Sequence, residues 1–166
     1  MTRTRNPISD LLSREAWRLL DGSFERVLCA PQDVDARGAM LLGSHLAGAA
    51  IEQSMLGATH ACANPLTARY GTTHGVGIAL LLRHVVRWNS TSEEMRARYA
   101  ELAPDLPARL EALAEIGRFP AGLAAAGVSE DDLDMLARDA AAQWTGTFNP
   151  RPFDEQGARE IYGMAW

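Results

Sequence analysis

Two of the four histidines, His60 and His74, flank a break formed by Asn64-Pro65 and Tyr70-Gly71. Pro65 is expected to end one helix, which leaves His60 in its last turns, and His74 stands where the next helix begins. A break of this kind lets the chain fold back and bring both imidazoles to one point. Neutral imidazole is a common ligand for Zn, Fe, Cu and Ni. Asn64 follows His60 by one helical turn and falls on the same face. Tyr70, Thr72 and Thr73 add polar groups. A helix start at His74 adds the positive end of a dipole, which favours a developing oxyanion. Gly75 and Gly77 have no side chains to obstruct a bound molecule. By spacing alone, however, such a pair more often serves capping or core hydrogen bonding. Metal centres of this type also need three or four protein groups, and no Asp-x-x-x-His pair exists in the chain to complete one. His45 reads as a satisfied core histidine, and His84 as a residue at a helix surface or end.

The elements that must position these residues read as helices throughout. Asn6-Pro7 is a helix start, with Asn as the cap and Pro at the first position. Ile8, Leu11, Leu12, Ala16, Leu19 and Leu20 recur at helical spacing, and Gly22 is expected to stop the run. A short helix over Phe24 to Cys29 should follow. The stretch from Val34 to Met55 is almost uncharged and apolar all round, which predicts a central helix buried on most sides. Further helices are expected over Gly75 to Trp88, from a Thr91-Ser92-Glu93-Glu94 capping box to Ala103, and over Asp105 to Ile116. A helical turn is expected over Pro120 to Ala126, then helices from Ser129 to Trp144 and from Asp154 to Met164. The acidic run at 130–134 reads as a solvated helix N-terminus. The fold class is therefore all-α: one compact domain over 1–166 with about seven to nine helices and no sheet.

Composition agrees. The 166 residues suffice for one domain with a sizeable core. Of these, 28 are alanine, the best helix former, and none is lysine. A formal net charge of −5 argues against a nucleic-acid partner. No apolar run is long enough for a membrane span, and the polar Met1–Pro7 segment lacks the apolar core of a signal peptide. With only two cysteines, a cytoplasmic protein with reduced thiols is the expectation. Neither a GxGxxG nor a GxxxxGK phosphate loop is present, so no residue of this chain is expected to bind a nucleotide cofactor.

The stretch from His60 through Asn89 resembles the signature of the iron-containing alcohol dehydrogenases, a family with the dehydroquinate synthase-like fold. Asn6-Pro7-Ile8-Ser9-Asp10 is similar to the segment that follows that family's first ligand pair. Gly127-Val128-Ser129-Glu130-Asp131-Asp132-Leu133 resembles its Gly-x-x-acidic-acidic turn. Asn149-Pro150-Arg151-Pro152 with the helix after it resembles its C-terminal end. Essentially the whole chain matches in order, as the family's C-terminal helical domain.

The resemblance implies a metal, Fe(II) or Zn, held by one aspartate and three histidines, of which the last two fall on His60 and His74. The Asp and first His would precede residue 1, as would an N-terminal α/β domain with a Gly-Gly-Gly-Ser loop for NAD or NADP. Asn64 stands where many relatives carry a further histidine, and an amide cannot pass a proton. Asn64, Tyr70 and Thr145 are implied to face substrate or cofactor. The implied chemistry is alcohol/aldehyde interconversion by hydride transfer on a small substrate. On this reading the chain is a metal- and substrate-binding half, inactive alone. It would have a separately encoded N-terminal half as partner and form a homo-oligomer. Two alternatives are a non-catalytic helical interaction module derived from the family, and a metal-free half like that of maleylacetate reductases.

Overall fold

The computed structural model describes residues 1–166 and contains eight α-helices and no strand, as an all-helical reading requires. They are α1 (Pro7–Cys29), α2 (Val34–Ser54), α3 (Ala58–Tyr70), α4 (His74–Asn89), α5 (Glu93–Ala100), α6 (Leu106–Ile116), α7 (Leu133–Ala141) and α8 (Glu155–Ala165). Single 3₁₀ turns occupy Glu130–Asp132 and Trp144–Phe148. No helix is long and apolar enough to cross a membrane. The chain divides into two compact units, one of Thr2–Met55 and one of Leu56–Trp166 together with Met1.

The first unit is a hairpin of α1 and α2. The Asn6 side chain caps α1 by accepting from the Ile8 and Ser9 amides, and Ser9 returns the bond to the Asn6 backbone. Gly22 does not stop this helix. It lies exposed in mid-helix with open space around it, and α1 continues to Cys29, just before Pro31. A glycine in a helix interior costs about 1 kcal/mol, and the packing of α1 on α2 overrides it. The buried positions of α1 are Ser9, Ala16 and Ser23, and those of α2 are Ala36, Gly43 and Ala50. Both sets repeat at a spacing of seven, the period of a narrow helix–helix seam. Small residues in the seam bring the backbones close. A Cβ added at Gly43 would stand 2.9 Å from Leu20 Cγ and 3.2 Å from Leu19 Cβ.

Polar contacts close both ends of the hairpin. At the turn, Asp33 caps α2 through the Ala36 amide and pairs with Arg26 at 2.6 Å. At the open end, the Thr4 hydroxyl donates to the Ser54 carbonyl at 2.6 Å and the Asn6 amide to Gln53 at 2.9 Å, and Thr2 also donates to Ser54. These bonds satisfy carbonyls that the end of α2 leaves without helical partners.

The expectation that the 34–55 helix is buried on most sides does not hold. Val34 is 78% exposed and Leu41 72%, and Leu42 and Ile51 are exposed as well. Helix α1 covers one face of α2, and an apolar sequence on the other face states a need for cover without supplying it.

The central buried helix is α3, in the second unit. Ala58, Ala61, Cys62, Ala63 and Leu66 are fully buried there. They pack with Leu80, Leu81 and Trp88 of α4, Leu133 and Leu136 of α7, and Ile161 and Tyr162 of α8. Each such leucine contributes roughly 1.5–3 kcal/mol by leaving water. The Tyr162 hydroxyl donates to the Cys62 carbonyl at 2.6 Å, and burial raises the Cys62 thiol far above its ordinary range. Alanine dominates α3 because its neighbours approach closely, and its small side chains give a helix of buried position little apolar signal. Residues 120–126 form turns, not the expected helical segment. Their polar groups bond elsewhere: the Leu123 amide donates to Ala165 and the Ala121 carbonyl accepts from Arg83.

Candidate metal centre

Helix α3 begins at Ala58, after a break at Met55 where φ is +64°. His60 is therefore in the first turn of α3, not in the last turns of a preceding helix. Pro65 lies buried inside α3 and does not end it. The helix forgoes one backbone hydrogen bond at the proline, and the packed core on both sides of it keeps the segment helical. Gly71, at φ +63°, closes α3, and three residues later His74 is the first residue of α4. That placement of His74 agrees with the sequence reading.

The two imidazoles meet. Their ring centroids are 5.3 Å apart with the planes tilted by 42°. His60 is half-buried and His74 exposed, so the pair faces solvent on one side. Burial, with a smaller contribution from the neighbouring His74, holds the His60 imidazole below its ordinary pKa. It therefore carries a free nitrogen lone pair at neutral pH, as a metal ligand must. Two imidazoles on one ion, each with a bond of about 2.1 Å, place their centroids about 5 Å apart. The pair fits that demand. No third His, Cys, Asp or Glu joins it to form a metal-binding group.

The other residues singled out from the sequence are engaged in different ways. The Asn64 amide donates to Gln143 Oε1 at 3.0 Å, and Gln143 donates in turn to the Asp139 carbonyl. Gln143, from the segment before the Trp144–Phe148 turn, was not legible beforehand because its partner lies 79 residues away. Thr145 is buried at 3% exposure, and its hydroxyl has no hydrogen-bond partner. Tyr70 donates to the Asp132 carboxylate and accepts from the Ser129 amide at 3.4 Å. Its hydroxyl is thus taken up by the acidic turn, and Asp132 is more than a solvated helix-start charge. Arg69 pairs with Asp139 on α7 beside it.

The remaining histidines depart from their sequence readings. His45 is exposed on the uncovered face of α2 and is not a core residue. His84 is buried at 6% exposure, not at a helix surface, and its Nε2 has no partner. The periodicity of α4 places His84 among Leu80, Leu81 and Val85, all buried.

The chain is thus all-helical, with two histidines converging from the starts of successive helices. The chain belongs to the Fe-containing alcohol dehydrogenase family, whose C-terminal domain matches residues 1–166. It is similar to the 1,3-propanediol dehydrogenase of Klebsiella pneumoniae, 32% identical over all of this chain and 46% of that protein. It is also similar to the lactaldehyde reductase of Escherichia coli K12, 32% identical over all of this chain and 47% of that protein. A crystal structure of a 1,3-propanediol oxidoreductase superimposes with a TM-score of 0.93 at 30% identity, covering 99% of this chain and 47% of that one. The chain thus spans about half the length of the curated relatives it matches.

Proposed function

We propose that this chain supplies the helical metal- and substrate-binding half of an iron-type, NAD(P)-linked alcohol dehydrogenase. His60 and His74 are two ligands of a divalent metal, Fe(II) or Zn. The remaining ligands and the nicotinamide site come from sequence outside residues 1–166. The observation that carries this reading is the 5.3 Å approach of two imidazoles on separate helices, one of them held neutral by burial.

When bound, such a metal supplies Lewis acidity to an alcohol or carbonyl oxygen, and a nicotinamide supplies the hydride carrier. This chain's residues do the positioning. His60 offers its lone pair from the first turn of α3, and His74 offers its own from the first turn of α4. Asn64, its amide fixed by Gln143, orients a substrate hydroxyl by hydrogen bonding but cannot relay a proton. The Thr145 hydroxyl is free to make one hydrogen bond to a small alcohol or aldehyde. Tyr70 serves as a wall.

Metal analysis of the chain loaded with Zn or Fe(II) tests this. One equivalent, bound weakly, should be retained by the wild type and lost on His60→Ala. Equal binding by both proteins would overturn the assignment.

A second reading is favoured by a specific observation in the α1–α2 hairpin. The exposed Val34, Leu41 and Leu42 form an uncovered apolar surface on α2, and such surfaces mark assembly sites. On that reading the chain is a non-catalytic assembly module that forms homo-oligomers through the hairpin. Sedimentation should then show an oligomer that Leu41→Glu dissociates, and a monomeric wild type would dispose of the idea.

A further inference from the structure

Helix α3 starts without a capping side chain of its own, because Gly57 occupies the N-cap and has none to offer. The missing acceptor comes from 91 residues further along the chain. Asn149 Oδ1 accepts from the Ala58 amide at 3.3 Å. The same oxygen accepts from Asn89 Nδ2 at 3.2 Å, and Asn149 Nδ2 donates back to Asn89 Oδ1 at 2.8 Å. Asn149 Nδ2 also donates to the Arg151 carbonyl at 2.8 Å, and Asn89 Nδ2 to the Tyr99 hydroxyl at 3.3 Å. Both asparagines are 2% exposed. The glycine fits this arrangement, since a Cβ at Gly57 would stand 3.2 Å from Asn149 Oδ1.

The two helices joined by this pair are those that carry the histidines. Asn89 is the last residue of α4, whose first residue is His74. Ala58 is the first residue of α3, two residues before His60. The remaining first-turn contacts, His60 and Ala61 amides on the Gly57 carbonyl, are ordinary helical bonds. The Asn149 contact reaches the start of α3 from outside the helix. We propose that the buried Asn89–Asn149 amide pair is a positioning element that caps α3 from a distance and holds His60 against His74. This inference rests on the assignment of the two histidines as metal ligands. It goes beyond it by naming what sets their geometry.

The physical argument is one of leverage. An N-cap acceptor removed from a helix frees an amide that the buried turn cannot offer to water. Helix ends are where fraying begins, and His60 sits in the first turn of α3. A fray at Ala58 therefore moves an imidazole whose partner is on another helix. Residues that orient metal ligands without touching the metal typically change affinity by about 10–100-fold when removed.

The test compares wild type, Asn149→Ala and Asp105→Ala. Asp105 caps α6 through the Ala108 amide, so its loss removes equivalent chemistry from a helix that carries neither histidine. In Asn149→Ala, Zn affinity by calorimetry should fall about tenfold. Ring-to-ring nuclear Overhauser contacts between His60 and His74 should weaken, and amide exchange should accelerate at residues 58–61 ahead of the rest of the chain. Asp105→Ala should leave all three as in the wild type. Should Asn149→Ala fail to fold, Gly57→Ala keeps both asparagines while crowding Oδ1, and the same shifts should follow in smaller measure. Unchanged ring contacts and uniform exchange in a folded Asn149→Ala or Gly57→Ala would overturn the proposal. If the wild type binds no Zn, the ligand assignment falls, while ring contacts and exchange still decide whether the amide pair positions His60.

Discussion

At His84 the protein holds an imidazole in apolar company with no partner for Nε2. Burial, with the charges of Arg83 and Arg87, lowers its pKa to about 4, and Glu111 offsets only part of that shift. The unfolded chain therefore takes up a proton first as pH falls through about 6.5, and the folded protein follows only near 4. Stability must fall across that window and level off below it, by about 3 kcal/mol from this one group. His60 is lowered in the same direction and adds to the slope. The carboxylates of Asp33 and Asp139, held low by backbone and arginine hydrogen bonds, lose their contribution at more acid pH. Urea midpoints between pH 7 and 4.5 should decline less steeply in His84→Leu than in the wild type. Parallel profiles would show that His84 takes up its proton readily in the folded state.

Among the elements, α2 shows how one helix makes opposite demands on its glycines. Gly43 faces α1, where an added Cβ meets Leu20 and Leu19 at 2.9–3.2 Å. Gly48 and Gly38 have nothing within 4 Å. Gly43→Val should destabilise the chain by about 2 kcal/mol, because overpacking forces the two backbones apart. Gly48→Ala should stabilise it by about 1 kcal/mol, since alanine loses less backbone freedom on entering a helix. Thermal melts of the two variants should move in opposite directions. Movement in the same direction would mean that the hairpin seam is looser than the Leu20 contact implies.

At the scale of the whole molecule, the chain corresponds to about half of its relatives, and all of it is helical. A dinucleotide is ordinarily held by a glycine-rich turn between a strand and a helix, and residues 1–166 contain neither that turn nor a strand. The 166 residues alone should therefore leave NADH fluorescence unchanged in a titration. Saturable enhancement would show a nicotinamide site within the helical part and overturn its dependence on another half. The two units contribute differently to the proposed role. Leu56–Trp166 contains the histidine pair, its amide brace and the larger core, while Thr2–Met55 presents apolar surface on α2.

Helix start signals were local and therefore legible. Asn6-Pro7, Asp105 and Asp154 cap helices close to where their types and positions predict, because a cap is a bond between a side chain and an amide two or three residues on. The box expected from Thr91 does not form, since Ser92 is the cap of α5, and Ser129 makes no capping bond ahead of α7. The resemblance carried by His60 to Asn89 identified the family, and His74 stood at a helix start as read. What the sequence could not decide was burial and long-range partnership. Periodicity placed α2 at the centre when α3, rich in alanine and interrupted by Pro65, is the buried helix. It also exchanged the environments of His45 and His84. An apolar face needs a cover, and only the tertiary structure says which face receives one. The Asn89–Asn149 pair, the hold of Gln143 on Asn64 and the 5.3 Å approach of the histidines join residues far apart in the chain or across a bend of unknown direction. By itself the sequence determined an all-helical, family-specific chain with two candidate ligands. The packing of α3 against α4 decided that those ligands meet.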